Sequence, residues 1–129
     1  MKKHGILNSS ISKVLADLGH TDQIIIADCG LPIPDHVKKI DLALKLGSPS
    51  FSEVFEVILE NMYVEQAVIA NEITEHNEQL ENIINNSINN INYVSHEELK
   101  KQSNVAKAII RTGEATPYAN VILQAGVNF

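Results

Sequence analysis

Apolar residues follow two alternating rhythms along this chain. Ile11, Val14, Leu15 and Leu18 fall at i, i+3, i+4 and i+7, one stripe of a helix, and Asn8, Ser9 and Ser10 ahead of them are good N-cap residues. Ile6 and Leu7 either begin a short strand or pack on the core. Gly19 supplies a left-handed residue to end the helix. The rhythm then changes: Ile24, Ile25, Ile26 and Ala27 run without alternation, which predicts a strand over Gln23–Asp28 covered on both faces, as at the centre of an α/β sheet. Gly30-Leu31-Pro32-Ile33-Pro34 can continue neither strand nor helix.

Beyond the prolines, Ile40, Leu42 and Leu44 alternate with Asp41 and Ala43, predicting a half-exposed strand between Val37 and Leu46 and a turn at Gly47-Ser48-Pro49-Ser50. Ser50 and Glu53 form a capping box ahead of Phe51, Val54, Phe55, Ile58 and Met62 at helical spacing. Tyr63 to Ala70 reads as a strand, and Asn71-Glu72-Ile73 either extends it or opens the next helix. That helix runs from Thr74 to about Asn90, with Leu80, Ile83, Ile84 and Ile88 on one face and asparagines toward water. Ile91 to Val94 is a short strand. Ser95 with Glu98 makes a second capping box and sets His96 at the first helical position. Ala106 to Ile110 and Val121 to Gln124 are the last strands, with Arg111 to Glu114 a loop. Strands alternating with helices predict a single α/β domain over residues 1–129, a three-layer α/β/α arrangement with a mixed, mostly parallel sheet.

Composition narrows the function. A net charge of −6 and a pI of about 5.3 argue against nucleic acid or an anionic membrane surface as partner, because Lys2-Lys3, Lys38-Lys39 and Lys100-Lys101 are isolated pairs. The lone Cys29 cannot form an internal disulfide, and no apolar run is long enough for a signal peptide or a membrane span, so a cytoplasmic protein is expected. Apolar residues at both ends of the chain, Phe129 among them, point to subunit contacts.

Candidate chemistry gathers in two stretches. His20 follows a helix C-terminus, whose free carbonyls favour an imidazolium, so it is placed either to complement the dipole or to act as a general acid. Asp28 ends the buried strand, where α/β sheets hold polar ligands; an Asx-turn is the structural alternative. His96, at a strand-to-helix junction, is either a surface residue or faces a cleft. The histidines, His4, His36 and His76 included, lack metal-ligand spacing, so no metal is expected. Asp28 beside Cys29 disfavours a thiolate, and neither a nucleophile elbow nor a glycine-rich phosphate loop occurs, so nucleotide cofactors are not implied. Arg111-Thr112-Gly113-Glu114-Ala115-Thr116-Pro117-Tyr118-Ala119-Asn120 is the second stretch. Its guanidinium, carboxylate, hydroxyls, phenol and amide suit a hydroxyl-rich ligand such as a sugar.

Lys3-x-Gly5-x-Leu7-Asn8, Leu18-Gly19-His20-Thr21-Asp22, Ala27-Asp28-x-Gly30-Leu31-Pro32-x-Pro34, the Arg111–Asn120 segment and Gln124-Ala125-Gly126 together resemble the D-ribose pyranase / L-fucose mutarotase family, on the ribose side, over nearly the whole chain. The resemblance implies a cofactor-free cytoplasmic enzyme that interconverts the pyranose and furanose forms of D-ribose, working beside ribose uptake and ribokinase. It also implies a homo-oligomer, a decamer of two stacked pentamers with sites at subunit interfaces. By position, His20 matches the family's proton donor, and Asp28, His96, Tyr118, Ala119 and Asn120 match its sugar-binding residues. Related sequences read Asp-Ala-Gly where this one reads Asp28-Cys29-Gly30. The rival readings are a mutarotase acting on fucose or another sugar, and a non-catalytic sugar-binding subunit.

Overall fold

The unbroken apolar run becomes an interior strand. In the computed structural model, which describes residues 1–129, β1 (Gln23–Ala27) has Ile24, Ile25, Ile26 and Ala27 fully buried. Its neighbours are β5 (Ala108–Arg111), parallel with Ile25 opposite Ile109, and β6 (Val121–Ala125), antiparallel with Ile25 opposite Ile122. With β2 (Lys38–Asp41), β3 (Val64–Ala70) and β4 (Ile91–Val94) the sheet has six strands in the order β2-β5-β1-β6-β3-β4. Every pairing is parallel except those made by β6, so the sheet is mixed and mostly parallel, as the sequence predicts.

Period-two alternation divides the apolar strand residues between two cores. Ile24, Ile26, Ile69, Ile110 and Leu123 face α1 (Ser9–Asp17), α2 (Phe51–Asn61), α3 (Ile73–His76) and α4 (Glu78–Ser87). Ile25, Ala27, Val68, Ile109 and Ile122 face Leu99 of α5 (His96–Gln102) and the loop residues Leu31 and Val37. Both faces are covered, the second more thinly. Asn8, Ser50 and Ser95 cap their helices as expected, each side-chain oxygen accepting the backbone N–H three residues on at 3.0–3.1 Å.

Several local expectations are corrected. β2 stops at Asp41, and Leu44 and Leu46 stand 80% exposed: β2 lies at the sheet edge, its neighbour β5 ends at Arg111, and the Leu44 N–H turns instead to the Ser48 carbonyl at 3.0 Å in a local turn. The helix expected over 74–90 is broken at Asn77, with φ −155° and ψ 57°, and ends at Ser87. The Asn77 amide turns inward and donates to Thr116 Oγ1 and the Pro117 carbonyl, both at 2.9 Å, a side-chain alternative to continued helix. Asn71 is turn and Ile73 begins α3, so that junction opens a helix. α1 ends in an extended Leu18 rather than a left-handed Gly19; Asp22 accepts the Gly19 N–H at 2.8 Å, and the positive φ falls on Thr21 at 71°. Arg111 ends β5 rather than starting the loop.

Candidate functional site

β1 and β6 run side by side in opposite directions, so the exit of one meets the entry of the other. There the Asp28 N–H donates to Asn120 Oδ1 and Asn120 Nδ2 donates to Asp28 Oδ2, each at 2.9 Å, with Asn120 fully buried. Asp28 Oδ1 also accepts the Gly30 N–H at 2.9 Å, so the Asx-turn is present, and it fixes the same carboxylate at the strand exit. Ala119 is fully buried in the larger core, which leaves only its backbone for a ligand.

Tyr118 has φ 56°, a left-handed conformation uncommon outside glycine, and it turns its ring toward two histidines. His96 meets it edge-on at 5.1 Å between centroids and His76 lies at 5.5 Å. His96 opens α5, and its backbone N–H donates to the Glu72 carboxylate at 3.0 and 3.2 Å. Its ring atom Nδ1 is buried without a hydrogen-bond partner. An unpaired buried polar atom costs about 1–3 kcal/mol, a penalty that a ligand hydroxyl removes. His76, Glu72 and Asn77 around this corner were not singled out by sequence reasoning; they come from the β3–α4 connection, whose sequence carries no motif.

The rest of the polar stretch is occupied with holding itself. Thr112, fully buried, donates to the Ala27 carbonyl at 2.8 Å. Glu114 accepts the Phe51 N–H at 3.0 Å and the Thr116 hydroxyl at 3.0 Å. Arg111 donates to the Cys29 carbonyl at 3.1 Å and to both Asp41 oxygens at 3.1 and 3.2 Å. Burial pushes the Asp41 carboxyl up, but the Ala43 N–H, Arg111 and Lys39 together outweigh it and hold the group below the usual carboxylate range. The segment is therefore mainly a frame that presents Tyr118 and Asn120.

His20 stands at the other end of the sheet. Thr21 N–H donates to the Ala125 carbonyl and Gln23 lies opposite Gln124, whereas Asp28 is beside Asn120. At about 3.3 Å per residue the stretch from Asp22 to Asp28 is roughly 20 Å long, so one chain does not bring His20 to the Asp28–Asn120 corner. The partner of His20 is Glu65 of β3, 2.8 Å from Nε2 to Oε2. Glu65 Oε1 accepts Gln124 Nε2 at 2.7 Å. These bonds, from Gln124 first and His20 second, hold the Glu65 carboxyl below its ordinary range. Glu65 was also missed by sequence reasoning, though a carboxylate near the start of a strand, ahead of the apolar Ala67–Ala70 run, was visible. A cavity of about 380 Å³ adjoins His20, lined by Tyr63, Gly126 and Phe129 among others.

Nowhere do three His, Cys, Asp or Glu side chains gather as a set able to hold a metal ion, and no helix is long and apolar enough to cross a membrane.

Comparison with known proteins gives these corners a context. A D-ribose pyranase of Staphylococcus haemolyticus is 60% identical over the full length of both chains. The solved structure of Bacillus subtilis RbsD complexed with D-ribose is 56% identical, covers all of both chains and superposes with a TM-score of 0.97. A fucose mutarotase from Streptococcus pneumoniae, solved with L-fucose, is 25% identical, covers 99% of this chain and all of its own, and has a TM-score of 0.78. The RbsD / FucU transport protein family model matches residues 1–128, and the chain belongs to that family.

Proposed function

We propose that this chain is a D-ribose pyranase, interconverting the six-membered and five-membered rings of D-ribose without a cofactor. The observation that carries the reading is the full-length match, at 56% identity and a TM-score of 0.97, to a relative that holds D-ribose. The lower identity to a fucose mutarotase, 25%, makes fucose the weaker substrate reading.

In the proposed reaction His20 gives a proton to the ring oxygen while the anomeric hydroxyl gives its proton to solvent water, and the bond from C1 to the ring oxygen breaks. The products are an aldehyde at C1 and a free 5-hydroxyl. After rotation of the open chain, the 4-hydroxyl adds to C1 and the two proton transfers run in reverse, giving the furanose. Asp28, His96, Tyr118 and Asn120, with the Ala119 backbone, hold the hydroxyls away from the reacting bond. Such a site needs room for the open chain to turn.

Because His20 and the Asp28–Asn120 corner lie at opposite ends of the sheet, the reading requires that His20 of one chain completes the pocket of another. A homo-oligomer follows, proposed to be a decamer of two pentamers in the cytoplasm, beside ribose uptake and ribokinase. Support comes from large apolar side chains left at the surface, Leu7 at 66% exposure, Leu44 and Leu46 at 80% and Phe129 at 99%.

The test is magnetisation exchange between the pyranose and furanose proton signals of D-ribose. Catalytic amounts of the protein should accelerate exchange and His20→Ala should remove the acceleration. Ribose binding with no faster exchange would replace the reading with that of a binding subunit.

A further inference from the structure

We propose that Glu65 is the positioning residue of His20, holding the imidazole by Nε2 so that Nδ1 is the nitrogen that exchanges a proton with the sugar. The catalytic half of this inference rests on the pyranase reading; the geometric half does not.

A histidine on a surface turn has two rotatable bonds and two nitrogens, so a general acid there needs something to choose between them. Here the choice is made by a carboxylate that is itself fixed at both oxygens. Glu65 Oε2 takes His20 Nε2 at 2.8 Å and Oε1 takes Gln124 Nε2 at 2.7 Å. Gln124 Oε1 in turn accepts Gln23 Nε2 at 3.4 Å, so the row crosses β3, β6 and β1. With Nε2 donating to Glu65, the neutral ring carries its proton on Nε2, and Nδ1 gains and loses the other one. A carboxylate partner also stabilises the imidazolium that forms when ring closure returns the proton to His20.

Two local features place that carboxylate. The register between β3 and β6 shifts between Val64 and Gln66, leaving Glu65 outside the regular ladder, a device that re-aims a side chain. Gly126 provides the space: a Cβ there would lie 3.3 Å from the Glu65 Cβ, closer than side chains ordinarily pack, and in contact with its nitrogen at 3.5 Å. This gives Gln124-Ala125-Gly126 a task, with Gln124 holding the carboxylate and Gly126 making way for it. The other ionisable groups on this side are Asp22, which accepts the Gly19 N–H and lies 3.9 Å from Lys107, and Tyr63 and the chain end at Phe129, which line the adjoining cavity. Among these groups Glu65 is the one hydrogen-bonded to the ring.

The test uses the full protein and the variants Glu65→Gln and Glu65→Asp. Long-range proton–nitrogen NMR of the His20 ring in the sugar-free protein should give the Nε2–H tautomer, becoming mixed in Glu65→Gln. With D-ribose, Glu65→Gln should lower kcat for ring exchange about 10-fold to 100-fold at nearly unchanged KM. The alkaline limb of its kcat/KM profile should move to lower pH, because the protonated ring has lost its carboxylate. Glu65→Asp should keep more activity than Glu65→Gln. An Nδ1–H tautomer in the wild-type protein, or a Glu65→Gln variant with wild-type kcat and pH profile, overturns the proposal. If the wild-type protein itself fails to accelerate exchange, the pyranase reading falls, while the tautomer still decides whether Glu65 holds the ring.

Discussion

The two ends of the sheet are built on opposite principles. At the exit of β1, Asn120 is fully buried and locked to Asp28 by reciprocal bonds of 2.9 Å, and Tyr118 is held in a left-handed conformation. At the entry of β1, the His20 and Glu65 side chains are 53% and 36% exposed. The first end is suited to recognition, since fixed, desolvated polar groups discriminate among hydroxyl patterns. The second is suited to proton transfer, provided another molecule covers it, because an exposed hydrogen-bonded pair is weak in water and strengthens when water is excluded. In the proposed assembly, neighbouring chains bring the two kinds of surface together.

Separating them by mutation should separate their effects. His20→Ala should reduce ring exchange by 100-fold or more, about the contribution of a general acid, and change ribose affinity by less than roughly threefold. NMR exchange and titration calorimetry would check this, and a large loss of affinity would erase the division of labour. Changes at the binding end should act on stability as well as on the sugar. Gly113→Ala places a Cβ onto the Ser48 backbone, and Asn120→Ala strips both bonds from Asp28; each should cost about 2–4 kcal/mol in denaturant unfolding.

His96→Phe sharpens the contrast further, since its Nδ1 is buried without a hydrogen-bond partner from the protein. Ribose affinity should fall about 10-fold while sugar-free stability holds or rises by up to roughly 1 kcal/mol, two opposite signs from one change. The smallest effect is acid sensitivity. Glu65 and Asp41 have carboxyls lowered below their ordinary values of 4.5 and 3.8, so their contributions are complete above those values and are lost as pH falls through the lower folded ones. Unfolding followed from pH 6 to pH 3 should weaken mainly below about pH 4.5, and less so in Glu65→Gln.

What could be read from the chain alone depended on whether the cause was local. The Ile24–Ala27 run announced a buried central strand, and Ser50 and Ser95 announced helix starts, because burial and capping are written in neighbouring residues. The extent of β2 was not, since a strand edge is ended by its neighbour's length. Nor was the break at Asn77, made by a bond to Thr116 nearly forty positions away. The same holds at the site. Asp28 stood out at the end of an apolar run, whereas its lock to Asn120 depends on antiparallel pairing of β1 with β6. Glu65 looked like one polar residue in a strand until the fold set it beside His20. The separation of His20 from Asp28 along β1 follows from strand length, and it is why the proposed site calls for a second chain.

The most direct test of that necessity mixes two inactive proteins. His20→Ala and the double variant His96→Ala/Tyr118→Phe each retain one of the two surfaces; unfolded together and reassembled, they form pockets whose His20 and sugar-binding residues come from different chains. With random assembly about a quarter of the pockets receive both intact halves, and ribose ring exchange should recover toward that fraction of the wild-type rate. A mixture that reassembles to the wild-type size and stays as inactive as its parents would contradict a site shared between chains.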